Sequence, residues 1–258
     1  MRIVPMRHGW LWIRGAFVIV GRKPLLWLLL VMMYWFVLSI AGAIPVLGIV
    51  IGLMAVPAFS ASFMSAAREI DQGRTPGPLV LASGFREHPL PMAVLGAIYF
   101  ACCLAVLGLT SLIDGGILID ALRGRRPSAG FETSVATAGV IYLPVMLAFW
   151  FAPALVAWER IGAPKALFFS FVASLRNWRA LLFYALMLAA LAVIVAMSVV
   201  IALKMVGAAL PGETATPSPR VAAFGLIMFP LMLASSAVLF ASWYASYRDV
   251  FAPDPDAS

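Results

Sequence analysis

The sequence predicts an all-α membrane protein, a polytopic bundle of six transmembrane helices in three pairs, with a short interfacial helix before spans 1, 3 and 5. Three observations lead there. First, the 258 residues are 64% apolar with a mean hydropathy of +1.02, whereas soluble domains run near 45–50%. A small soluble protein cannot hide that excess, because its surface still has to be polar. Second, six stretches contain no Asp, Glu, Lys, Arg or His: 24–42, 43–66, 89–113, 135–157, 180–203 and 221–245. Each suits a hydrocarbon layer about 30 Å thick, which takes about 20 residues of helix. Third, these runs are long and continuous, while barrel strands would alternate over roughly ten residues.

Along the chain, the N-terminal stretch is basic, then apolar, then reads "SIAGA", as a signal peptide would. Its apolar run is too long for a usual signal core and a second follows at once, so a retained first span is expected. Before that span, Arg7, Arg14 and Arg22 fall on one quarter of a helix. Trp10, Trp12, Ile13 and Phe17 cover much of the rest, which suits a helix lying in the head-group layer. Pro76 and Pro164 are expected to open the two later interfacial helices. In the second span, "GIVIG" and the run Ala58, Ser60, Ala61, Ser62, Ser65 form a small-residue face for close packing, so this span belongs at the centre of a bundle. Cys102 and Cys103 are adjacent in the third run, where a bond between neighbours would be strained, and read as two lipid- or helix-facing thiols. Pro45, Pro57, Pro144, Pro153 and Pro230 should kink spans unless they fall in a first turn. The loop 207–220 is rich in Pro, Thr and Ser and should be mobile, and the tail 251–258 should be disordered.

The basic residues give an orientation. Arg2, Arg7, Arg14, Arg22, Lys23, Arg68, Arg74, Arg86, Arg160, Lys165, Arg176, Arg179 and Arg248 fall on one side of a six-span topology. Arg123, Arg125, Arg126, Lys204 and Arg220 fall on the other. The positive-inside rule then puts both termini in the cytoplasm of a bacterial inner membrane. The net charge of +7 follows from this asymmetry. It suits anionic lipid head groups and, with no soluble basic domain, is no nucleic-acid footprint.

The single membrane domain, 1–250, carries a weak threefold repeat over 1–66, 67–157 and 158–250. "GAFVIVGRKPLLWLLL", "LVLASGFREHPLPMAVLG" and "FFSFVASLRNWRALLFYAL" each carry a basic knot just before a new span. Spans 2, 4 and 6 end alike in "SAAREIDQG", "LVAWERIGAP" and "YASYRDVFAP", each with two opposite charges and then an aliphatic residue.

Chemistry is limited by what the spans lack. Coupled transport usually needs intramembrane ionisable groups, and an intramembrane protease needs a Ser near a His or two buried acids. The spans offer scattered Ser, Thr and Tyr hydroxyls instead. His8, His88, Glu69, Asp71 and Glu87 match no metal-binding spacing, and "GRTPGP" lacks the Lys-Ser or Lys-Thr of a phosphate loop. No catalytic residue, metal or cofactor is therefore expected. Two candidate surfaces remain. One is the cytoplasmic boundary: Arg22, Arg86, Glu87, His88 and Arg176. The other is the external loop, where Asp114 and Asp120 lie near Arg123, Arg125 and Arg126 and largely neutralise them.

"GWLWIRGAFVIVGRKPLLW", "GRTPGPLVLASGFREHPLPMAVLGAIYF" and "APALVAWERIGAPKALFFSF" resemble an uncharacterised family of proteobacterial multi-pass inner-membrane proteins. That resemblance implies a location and a fold, and no catalytic residues. More distantly, "AL..S......N" before a new helix is similar to the membrane domain of some glycerophosphodiester phosphodiesterases, whose catalytic domain this chain lacks. The expected role is a non-enzymatic scaffold or accessory component that contacts membrane lipids or a membrane protein partner. A facilitator for a neutral or lipidic solute is the alternative, and an intramembrane enzyme the third reading.

Overall fold

Apolarity at this density leaves the backbone to satisfy its own polar groups, and a helix does so within one segment. A computed structural model of the chain follows that rule: among the described residues it holds helices and no strand. The structure describes residues 1–126, 128–209 and 219–251, with side chains described outside 202–224. Most of the loop 207–220 and of the tail therefore lies outside the described residues; Phe251 ends the last helix.

The helices are α1 (His8–Arg22), α2 (Pro24–Gly42), α3 (Leu47–Asp71), α4 (Ser83–Arg86), α5 (Pro89–Asp114), α6 (Ile117–Leu122), α7 (Phe131–Phe149), α8 (Ala152–Trp158), α9 (Ala163–Arg176), α10 (Trp178–Ala209) and α11 (Pro219–Phe251). A 3-10 turn, Pro78–Ala82, leads into α4. Six segments are long and apolar enough to cross a membrane: Pro24–Gly42, Leu47–Asp71, Pro89–Asp114, Phe131–Trp158, Trp178–Ile201 and Gly225–Phe251. The protein is thus a polytopic helical bundle.

The chain divides into two compact units. The first comprises Met1–Trp35, Ala67–Pro78 and Asn177–Ser258. In it α1 packs on α10 and α11. Its buried stripe is Gly9, Trp12, Ile13, Ala16 and Ile19, at helical spacing. Gly9 lies so close to α10 that an added Cβ would overlap the Ala180 carbonyl and stand 2.7 Å from the Tyr184 nitrogen. This corrects one expectation: Trp12 does not sit among head groups. It is 1% exposed, because α1 spends its apolar face on protein while Arg14 and Arg22 face outward. Trp10 and Phe17 do remain exposed.

The second unit comprises Phe36–Ala66 and Leu79–Arg176. Of the six candidate spans, α3 has the most buried apolar window, as its small-residue face predicts. Gly84 of α4 rests on the Ala58 carbonyl and Gly96 of α5 on that of Met54, so tightly that neither has room for a Cβ. The second interfacial segment is shorter than expected, with five residues of 3-10 helix and four of α-helix. Prolines at 76, 78 and 89 leave little room between them for more.

The prolines divide into two kinds. Helices α3, α7 and α11 run on through Pro57, Pro144 and Pro230. Pro153 instead breaks its span. Its ring would strike the carbonyl of Phe149, four residues earlier, so α7 stops there and α8 starts with Pro153 in its first turn. The bond from the Phe151 N–H to the Leu147 carbonyl is lost. Ser170 of α9 takes its place: its Oγ accepts from the Phe151 N–H at 2.9 Å and donates to the Leu147 carbonyl at 3.2 Å. Ser174 donates to the same carbonyl at 3.0 Å. A hydroxyl from a neighbouring helix thus repairs a break that lipid could not solvate.

Candidate functional site

The polar chemistry of the molecule gathers where spans begin and end. In the first unit two aspartates organise it. Gly73, at φ +79°, ends α3: its N–H donates to the Ile70 carbonyl and the Arg74 N–H to the Glu69 carbonyl. That left-handed cap fixes the last turn and presents Asp71. Its carboxylate accepts from Arg22 Nη1 at 3.2 Å, from the Tyr244 hydroxyl at 3.1 Å, and from Arg248 Nη1. Arg22 Nη1 also reaches the Asp71 carbonyl at 2.9 Å.

Asp249, near the end of α11, accepts from Arg2 Nη2 at 2.8 Å, Trp12 Nε1 at 2.8 Å and His8 Nδ1 at 2.7 Å. A carboxylate only accepts, so the His8 proton sits on Nδ1. The Arg2 N–H adds a bond to the Val250 carbonyl at 2.8 Å. Asn177, between α9 and α10, is 1% exposed. Its Oδ1 accepts from the Val4 N–H at 2.8 Å and its Nδ2 donates to the Arg2 carbonyl at 3.1 Å. Residues 2–4 are thereby pinned as a strand partner would pin them.

In the second unit hydroxyls take that part. Ser62 Oγ accepts from the Gly84 N–H at 3.0 Å, and shares its proton between the Leu81 carbonyl at 2.8 Å and the Ala58 carbonyl at 2.9 Å. Trp158 Nε1 donates to Ser65 Oγ at 3.3 Å.

The residues singled out from the sequence fall as follows. Arg22, Arg86 and Arg176 each close the last turn of their helix, α1, α4 and α9, where a cation suits the helix dipole. Arg22 belongs to the Asp71 knot; Arg86, Glu87 and Arg176 are exposed. His88 breaks the helix at φ −150° and caps α5, and its Nδ1 donates to the Val156 carbonyl at 3.3 Å. That ties the start of α5 to α8. In the loop between α5 and α7 Asp114 accepts from the Gly116 and Leu118 N–H groups at 2.7 and 3.0 Å and so starts α6. Asp120 pairs with Arg125 at 2.9 Å, and Arg123 and Arg126 are exposed. These two acids are engaged within the loop. Sequence reasoning missed Asp71, Asp249 and Tyr244 as organisers, and met Asn177 only as the last residue of the "AL..S......N" pattern, with no role of its own. Asn177 is the one asparagine in the chain, and that isolation was the available signal.

Inside the spans hydroxyl pairs join neighbouring helices. Tyr99 and Tyr142 share a hydroxyl–hydroxyl bond of 2.9 Å, and Tyr184 and Ser242 one of 2.5 Å. Among the described residues, no three His, Cys, Asp or Glu side chains gather as metal ligands would.

The chain is 31% identical to a protein of Burkholderia thailandensis named "Probable inner membrane protein", over 262 aligned positions that cover 96% of this chain and 92% of that one. The chain belongs to that protein's family. No family model and no solved structure matches. The boundary knots and six spans described above are therefore those of a member of an inner-membrane family.

Proposed function

We propose that this inner-membrane protein is a non-enzymatic scaffold or accessory component, with both termini in the cytoplasm, that contacts lipid or a membrane protein partner. One observation supports this above others. The two carboxylates and the amide bonded at the span ends, Asp71, Asp249 and Asn177, are engaged in fastening helices and the N-terminal segment to one another. Within the spans most bonded hydroxyls serve backbone groups or one another, and Ser65 and Tyr244 join Trp158 and Asp71 near the span ends. Such an arrangement favours a fixed frame over a reactive centre. The pattern shared with the membrane domain of glycerophosphodiester phosphodiesterases brings no phosphodiester chemistry to these residues.

Affinity purification in mild detergent, with identification of co-purifying proteins and lipids, tests the role. Stoichiometric recovery of a membrane protein or a lipid class is expected; recovery of neither would overturn the reading. Alkaline phosphatase fusions test the orientation: those after residues 125 and 213 should be active and those after 75 and 165 inactive.

A further inference from the structure

The Asp71 knot has more positive charge than its aspartate can balance. Two guanidiniums, from α1 and α11, share one carboxylate, and their side chains are 46% and 51% exposed. The bonds they make to Asp71 use Nη1 of each, which leaves other N–H donors of two half-exposed forks for a further acceptor. Arg68 lies three residues before Asp71 on the same helical face and within electrostatic reach of the Tyr244 hydroxyl. Glu69, two residues before Asp71, projects about 200° around the helix from it. Lys23, next to Arg22, is exposed.

A second observation says what such an acceptor would carry. Two residues beyond Lys23 the exposed side chains Leu25, Leu29 and Met32 of α2 begin a stripe at i, i+4 and i+7. A cationic knot that leads directly into an exposed apolar stripe matches a molecule with an anionic head and an apolar tail.

We propose that Arg22, Arg248 and Lys23 form a binding site for the phosphate of an anionic phospholipid, with its acyl chain along Leu25, Leu29 and Met32. The two arginines supply the planar forks that suit phosphate oxygens, and Asp71 and Tyr244 hold Arg248 in place. Tyr244 also lies under the Arg248 guanidinium, 5.8 Å from ring centre to Cζ. This site rests on the reading of the chain as a lipid-contacting component.

The test uses the full chain, purified in mild detergent. Phosphatidylglycerol, phosphatidylcholine and inorganic phosphate are each titrated against thermal unfolding, and retained lipid is counted by native mass spectrometry. Phosphatidylglycerol should raise the midpoint and be retained, with little effect from the other two. R22Q and R248Q should each weaken phosphatidylglycerol binding roughly fivefold. K23Q, which disturbs no described contact, should weaken it by at least twofold and covers the case in which the arginine variants do not fold. Undiminished phosphatidylglycerol binding in all folded variants would overturn the site and leave the lipid-contact reading standing. An equal response to inorganic phosphate would overturn the lipid as occupant. Failure of the wild type to prefer phosphatidylglycerol over phosphatidylcholine would overturn the site and remove the reading's support from lipid.

Discussion

The two compact units solve one problem with different chemistry. Each must hold a short, half-exposed element against the end of a span. The first unit does it with charge: Asp249 and Asp71 each take three side-chain donors, and α1 is tied to α11 through His8 and Trp12. The second does it with serine hydroxyls: Ser62 holds α4 to α3, and Ser170 with Ser174 holds α9 to α7. A carboxylate gathers several long donors from different helices, but it needs the polar edge of the membrane. A hydroxyl bridges only backbone that approaches closely, which is why glycine or a broken helix lies beside it here. Charge therefore spans wider gaps between helices, and hydroxyls close narrow ones.

This contrast can be broken or sharpened by substitution, with thermal or denaturant unfolding in detergent as the readout. The largest effect should come from Asp249→Ala. It strips three charge-assisted bonds from a site whose side chain is 18% exposed, and should cost about 3 kcal/mol. A loss under about 0.5 kcal/mol, within the usual range of a surface substitution, would mean that the knot is ornamental. Next comes Ser170→Ala, which leaves the Phe151 N–H without its acceptor and should cost about 2 kcal/mol. Ser174→Ala should cost less, since Ser170 still serves the Leu147 carbonyl. Asp71→Asn should cost only about 1 kcal/mol, because its arginines are half exposed. That loss should shrink as salt is raised while the Ser170 loss does not; parallel salt dependence would erase the distinction between the units. The smallest effect is the coupling of Tyr99 and Tyr142, about 0.6 kcal/mol in a Phe double-mutant cycle.

The six spans were legible because membrane crossing depends on summed apolarity, which needs no partner. The basic helix ends were legible too: Arg22, Arg86 and Arg176 all occupy last turns, as their positions before a break suggested. What escaped was long-range pairing. Asp71 reaches Arg248 across 177 residues and Asp249 reaches Trp12 across 237. Counting charges marks such residues as boundary residues and stops there. Trp12 misled for a related reason: an indole suits either a head-group layer or a carboxylate, and only the packing of α1 on α11 decides. Pro153 announced a break, but not that a serine hydroxyl from α9, 19 residues after Phe151, would fill it.

The docking of α1 on α11 bears on the order of events during synthesis. The buried face of α1 is completed by α11, which is made much later. Until α11 is inserted, α1 has only part of its cover, and His8 and Trp12 lack Asp249. Closure of the first unit therefore waits on α11, and the loop-closure entropy it must overcome is set by the 237 residues that separate Trp12 from Asp249. A chain truncated before Asp249 should insert all six spans and keep α1 on α10 and most of α11, yet leave His8 and Trp12 without the carboxylate that fastens them.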